Sequence, residues 1–215
     1  MRTTELSSVA LLMARDRRLG LALSPMTAWR DLYGLRTARL ELPGVAHVYG
    51  ATPQAEVLAL SATYVGRAAT PLPTRWTYGP SPQHAVDRAL ATDPGAAPFL
   101  RFERMAPKEP ETVQPPRLIA IEVYRATTTG DAALDPAIIS ALLWLPLAAL
   151  RRIVSGARLG ELLAMEDVLA ERAPGATLPQ DALVYLPSEY GERHLLRIAA
   201  KYGESALYAT PDGGA

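Results

Sequence analysis

Two short apolar runs, Ser7–Met13 and Leu19–Leu23, flank the polar step Arg15-Asp16-Arg17-Arg18. That pattern predicts a β-hairpin. Pro25 to Gly34, with Trp29 and Tyr33, reads as a connector. Arg36–Leu42 partly alternates and is punctuated by Pro43-Gly44, which predicts a strand; Ala46–Tyr49 is a candidate for another. The stretch from Pro53 to Val65 admits two readings. Thr52 and Pro53 suit the N-cap and first position of a helix, and Val57, Leu58, Leu60, Ser61, Tyr64 and Val65 roughly keep helical spacing. Thr63, Tyr64 and Val65 are β-formers and keep a strand open. Thr70 to Pro73 breaks either element, and Thr74–Tyr78 suits a short strand. By the same cap logic, Ser81-Pro82 predicts a helix running through Ala91.

The second half is more regular. Pro98–Met105 predicts a strand with Phe99, Phe102 and Met105 as apolar contacts. Ala106 to Pro116 holds Pro107, Pro110, Pro115 and Pro116 and must be irregular. Leu118–Ala126 gives the clearest alternation, with Ile119, Ile121 and Val123 on one face and Leu118, Ala120, Glu122 and Tyr124 on the other. Thr127 to Asp135 reads as a loop, and Ile138–Leu145 is an apolar run ending in Trp144-Leu145-Pro146. Leu147–Ser155 predicts a helix stopped at Gly156, and Arg158–Arg172 another, with Leu159, Leu162, Leu163, Met165, Val168 and Leu169 on one face. Leu183–Leu186 is extended. Ser188 is placed to cap a last helix to Tyr202, with Glu189 and Arg193 as an i,i+4 pair, and Pro211 to Ala215 should fray. Strands and helices alternate irregularly, which favours an α+β mixed sheet flanked by helices over a doubly wound parallel fold.

Composition narrows the function classes. The chain has 215 residues, 49% of them hydrophobic and 20% charged, enough apolar surface for one core. The 22 basic and 22 acidic residues cancel, so nucleic acid and membrane surfaces are not expected partners. Cysteine is absent, which excludes disulfides, thiolate metal sites and a cysteine nucleophile. The apolar run near the N-terminus is short and broken by Arg15 and Asp16, and Ala141–Leu150 is too short to span a bilayer. A cytoplasmic location is the expectation. Lysine occurs only at Lys108 and Lys201, so an anion site must lean on arginine, backbone N–H groups or hydroxyls.

Standard catalytic signatures are missing. His47, His84 and His194 are far apart in sequence, and no dinucleotide, P-loop or nucleophile-elbow pattern occurs. Glu166-Asp167 are helix neighbours pointing in different directions, a poor chelate. Arg101, Glu103, Arg104, Lys108, Glu109 and Glu111 lie on or just after a strand beside a proline-rich loop, where functional residues often gather. Trp144 suits the core or, alternatively, stacking on a ligand.

Several segments together resemble the Nudix family. Leu118–Ala126 is similar to a late family strand, Gly130-Asp131 to Asp135 to its acidic loop, Trp144-Leu145-Pro146-Leu147 to its turn and Ala148–Ile153 to the helix that follows. Ser7–Leu23 and Leu42-Pro43-Gly44 resemble the family's opening hairpin and its LPGG segment, and Phe99 to Pro116 a linker between two sheet strands. The resemblance implies a mixed β-sheet sandwiched between helices, a Nudix-like α/β/α arrangement with extra C-terminal helices. It implies one domain over residues 1–215, with 156–215 as a C-terminal helical extension.

The family's catalytic box, GX5EX7REUXEEXGU, is degenerate here. Anchored on Gly44, its first glutamate becomes Gly50, its Arg-Glu pair Leu58-Ala59 and its Glu-Glu pair Ala62-Thr63. Anchored on Gly50, Glu56 fits, but the pairs become Tyr64-Val65 and Ala68-Ala69. One carboxylate holds a hard divalent cation poorly. The resemblance therefore implies a domain that binds a nucleotide or diphosphate-linked metabolite, with Arg101 or Arg104 toward phosphate and Tyr124 or Trp144 toward a base. No cofactor is expected. The alternatives are a Mg- or Mn-dependent hydrolase of nucleoside diphosphate derivatives using relocated carboxylates such as Glu56, Glu103 and Glu122, and a non-enzymatic scaffold. A homodimer is a further expectation.

Overall fold

The computed structural model describes residues 6–25, 31–32, 35–46, 53–66, 69–81, 86–105, 118–128, 133–187 and 191–208. The chain opens with β1 (Leu6–Arg15), β2 (Arg18–Leu23), the two-residue β3 (Asp31–Leu32), β4 (Leu35–Glu41) and β5 (Gly44–Ala46). Helix α1 (Pro53–Val65) follows, then β6 (Ala69–Pro71), β7 (Trp76–Gly79), β8 (Asp87–Leu90), β9 (Leu100–Met105), β10 (Leu118–Thr128) and β11 (Ala141–Leu145). The C-terminal part comprises α2 (Leu147–Val154), α3 (Leu159–Leu163), β12 (Leu169–Arg172), β13 (Leu183–Tyr185), α4 (Glu192–Tyr202) and α5 (Ser205–Tyr208).

The strands form one mixed sheet with the main order β12-β11-β2-β1-β10-β9-β7-β8. β1 and β10 run parallel at its centre, with Val9 opposite Glu122 and Leu11 opposite Tyr124. The β1–β2 hairpin closes at Arg15 opposite Arg18, with Asp16 and Arg17 at φ 48° and 58°. Positive φ at both turn residues matches the strands' right-handed twist.

Alternation sends residues to two cores. Ala10, Leu12, Ile119, Ile121 and Val123 pack on one face beneath α2, α3, α4 and α5. Val9, Leu11, Met13, Tyr124, Ala126 and Trp144 pack on the other, where α1 contributes Leu60 and Val65 and the 134–139 segment adds Leu134 and Ile139. The architecture is thus α+β, a mixed sheet between helices. From residue 156 onward the chain supplies strands as well as helices: β12 pairs with β11, and β13 with β4.

Pro53–Val65 is a helix, so the strand alternative fails there. Thr70, read as part of a breaker, lies in β6 against the end of β10, which runs on to Thr128. The helix expected from Ser81 to Ala91 does not form as such: residues 82–85 lie outside the described set, and Asp87–Leu90 is a strand antiparallel to β7. Cap residues gave a local preference, and a neighbouring strand overrode it. The helix expected over Arg158–Arg172 ends at Leu163, and Leu169–Arg172 is a strand on the sheet edge. The Trp144 indole N–H donates to Glu171 at 2.8 Å, and Arg15 meets the same carboxylate at 3.6 Å. These contacts hold the segment extended. The last helix begins at Glu192 behind Gly191, whose φ is 90°. Ser188 and Glu189, residues 47–49 of the 46–49 reading, the whole 106–116 loop with Lys108, Glu109 and Glu111, Gly130-Asp131, and 211–215 lie outside the described residues.

Glu192 is fully buried at the start of α4. One of its carboxylate oxygens accepts the Leu42 backbone N–H at 2.8 Å, while Oε2 meets no hydrogen-bond partner. Burial pushes this carboxyl up to about 8, with the charge of Glu41 adding to the rise and the Leu42 N–H and Arg39 opposing it. The contact ties α4 to the segment that leads into β5 and α1.

Candidate functional site

β9 and β10 bring several polar side chains together on the sheet face that carries α1. Arg101 stands opposite Glu122, and Glu103 opposite Ala120. The Arg101 guanidinium lies 3.7 Å from Glu122, and the Tyr124 hydroxyl donates to the other oxygen of that carboxylate at 2.9 Å. Glu122 is therefore gripped from both sides. Burial, followed by the Glu122 charge, raises the Tyr124 hydroxyl above its ordinary value, so it stays protonated and a donor. Arg101 remains largely exposed, with guanidinium donors to spare.

Beside this group the sheet opens. β7 and β9 run parallel and pair only at Tyr78 and Leu100. The junction is fastened by the Tyr78 N–H on the Phe99 carbonyl at 2.8 Å and the Thr77 hydroxyl on the Pro98 carbonyl at 2.8 Å. Beyond it lies an open groove of about 760 Å³, lined among others by Thr77, Gly79, Asp87, Arg88, Arg101 and Glu103. Gly79 permits the close approach at its head: a β-carbon there would lie 3.1 Å from the Arg101 carbonyl oxygen.

The outer wall is tied to α4. The Arg88 guanidinium lies 4.4 Å from the Trp76 ring centroid and 4.6 Å from that of Tyr202. Tyr202 donates its hydroxyl to Asp87 at 3.1 Å, and Lys201 donates to the Val86 carbonyl at 2.8 Å. Tyr78 continues the aromatic contacts, 5.3 Å from Tyr202 and 5.1 Å from Phe99.

Arg101, Glu122 and Tyr124 thus form one connected group, with Glu103 on the same groove. Arg104 pairs with Ile119 in register, and Glu56 lies in the first turn of α1; their side chains are outside the described set. Trp144 lies elsewhere, 1% exposed, with its N–H bonded to Glu171. A ring so enclosed offers no face to a ligand in this structure. Arg88 escaped the sequence reading because its segment read as helix. Trp76 beside Arg75, with a second arginine on the next strand, was the available signal.

Among the described residues, no group of three or more His, Asp or Glu side chains could hold a metal ion. No helix among them is long and apolar enough to cross a membrane.

No family model matches the chain, and no curated protein matches it. Solved structures similar to it include the E. coli ORF135 protein, with 15% identity and a TM-score of 0.42 over 68% of this chain and 77% of that one. A NUDIX hydrolase from Nitrosomonas europaea aligns with 10% identity and a TM-score of 0.41 over 68% and 75%. A MutT NUDIX hydrolase from Burkholderia pseudomallei aligns with 15% identity and a TM-score of 0.38 over 66% and 83%. Values this low establish neither family nor activity.

Proposed function

We propose that this chain is a Nudix-like domain that binds a nucleotide or a diphosphate-linked metabolite and does not hydrolyse it. The observation that carries the reading is the groove between β7–β8 and β9, with Arg101 held at its side by Glu122. A pocket of several hundred cubic ångströms suits a small organic ligand, and arginine is the natural receptor for its phosphate oxygens.

Among the described residues, no set of donors fits a divalent cation. Helix α1, which follows the Leu42-Pro43-Gly44 segment, carries Glu56 as its one carboxylate. Glu122 already accepts from Tyr124 and faces Arg101. A hard cation needs several oxygen ligands in a defined shell. The relocated-carboxylate reading would have to free Glu122 from both neighbours, so no hydrolytic step is derived.

ADP titrated into the protein in EDTA tests the reading. Arg101→Ala is expected to weaken binding about tenfold, the loss of one hydrogen bond between charged partners. Glu103→Gln should tighten it by about two- to threefold, because a like charge leaves the groove. Unchanged affinity in Arg101→Ala would remove Arg101 from the site. Weaker binding in Glu103→Gln would mean that the ligand presents a donor or positive charge there.

A further inference from the structure

Helix α4 is pinned at both ends by polar side chains. At its start, the fully buried Glu192 accepts the Leu42 backbone N–H at 2.8 Å. At its end, Tyr202 donates its hydroxyl to Asp87 at 3.1 Å, and Lys201 donates to the Val86 carbonyl at 2.8 Å. Asp87 opens β8, the strand at the end of the sheet, and lines the groove. Between the two pins, Leu195, Ile198 and Ala199 bury the apolar side of the helix. α4 and α5 cover the sheet without joining its ladder, so they can leave it while its strands stay paired.

The first pin depends on a proton. Oε2 of Glu192 is buried and meets no hydrogen-bond partner, so a negative charge there is poorly solvated. The charged groups that face it from β4 are Glu41 and Arg39, which pair with each other. Glu41 opposes a charge on Glu192, whereas Arg39, the Leu42 N–H and the Glu192 N–H favour one. On α4 itself, His194 lies two residues along with Arg197 near it. Burial outweighs the favourable contacts and pushes the Glu192 carboxyl up to about 8, against an ordinary 4.5. Opening the helix exposes the carboxyl to water and returns it to the ordinary value. Between the two values opening releases one proton, and each pH unit favours the open form about tenfold.

We propose that Glu192 is a proton-operated latch on the C-terminal helices. Protonated, it holds α4 to Leu42 and, through Lys201 and Tyr202, keeps β8 in place. Ionised, it favours release of α4 and α5 as one unit, and the β8 wall of the groove loosens with them. The latch works whatever the groove binds. Its test uses no ligand, so its failure leaves the nucleotide reading as it stands.

Amide hydrogen exchange on the full chain between about pH 6.5 and 8 tests it, each rate being divided by that of the same unstructured amide at the same pH. The reporters are three N–H groups: Leu42, on Glu192; Gly203, on the Ala199 carbonyl at the end of α4; and Ala91, on the Arg75 carbonyl just after β8. In the wild-type chain their opening constants should rise together, about tenfold per pH unit, and exceed those of amides in the middle of β10. Glu192→Gln should make all three independent of pH. Lys201→Met combined with Tyr202→Phe should keep the rise at Leu42 and Gly203 and remove it from Ala91; this variant carries the test if Glu192→Gln does not fold. Opening constants in β10 equal to those of the reporters would mean that the whole chain opens at once, and would overturn the latch. So would constants at Leu42 and Gly203 that do not rise with pH, or an undiminished rise in Glu192→Gln. A rise at those two without one at Ala91 would overturn its reach to the groove.

Discussion

The melting temperature of the wild-type chain should fall as pH rises from about 5 to 8, and Glu192→Gln should flatten that fall. The buried Glu192 carboxyl titrates at about 8 in the folded chain, against an ordinary 4.5. Between those values the native state holds a proton that the unfolded state has released. Stability therefore declines with pH across the window, and the full cost is present above the folded value. For this one group the loss between pH 5 and 8 is on the order of 3–4 kcal/mol. In a domain of this size that is a drop of roughly 10 °C. His194, two residues along α4, works in the opposite sense. Burial and Arg197 lower its affinity for a proton, so it destabilises the fold as pH falls below its ordinary 6.5. The Glu192 effect should accordingly be clearest between pH 6.5 and 8. Melts at closely spaced pH values in both proteins check this. A wild-type profile that rises over that interval, or a Glu192→Gln variant with the same descent, would contradict it.

Trp144→Ala should cost on the order of 3–5 kcal/mol, the range for deleting a buried large aromatic side chain. The ring is 1% exposed and packs on the backbone of Gly20, where a β-carbon would lie 3.1 Å from it. Its N–H also anchors Glu171 on the edge strand β12. Truncation leaves a cavity and removes the donor at once. Trp144→Phe keeps most of the volume and should cost much less. Denaturant unfolding gives both values, and ADP affinity of the folded variant should stay within about twofold of wild type. A variant of normal stability that had lost ligand affinity would instead restore Trp144 as a stacking residue.

Much of the fold could be read from period alone. The alternation in Leu118–Ala126 assigned its two faces correctly, because a central strand buries both and each side chain has one place to go. The N-terminal hairpin and the helix after Trp144-Leu145-Pro146 followed from apolar runs and their punctuation. The failures lie at the two edges of the sheet. Asp87–Leu90 is exposed throughout and has no apolar period of its own; it is a strand because β7 offers it a partner and the rings of Trp76 and Tyr202 hold Arg88. Leu169–Arg172 is extended because Glu171 meets Trp144 and Arg15, residues far away in sequence. The site divides in the same way. Arg101, Glu122 and Tyr124 could be singled out because they sit on clear neighbouring strands. The place of Arg88 could not, since what marks it is its approach to rings on β7 and α4.

On the proposed reading, the groove binds a phosphate-bearing ligand without a metal ion. Isothermal titration of ADP, once in EDTA and once in Mn²⁺, tests it most directly when the mixtures are afterwards analysed for released AMP and orthophosphate. Binding in EDTA, an affinity that Mn²⁺ changes by no more than about twofold, and intact ADP at the end are the expected results. Binding that requires Mn²⁺ and is followed by release of AMP and phosphate would contradict it.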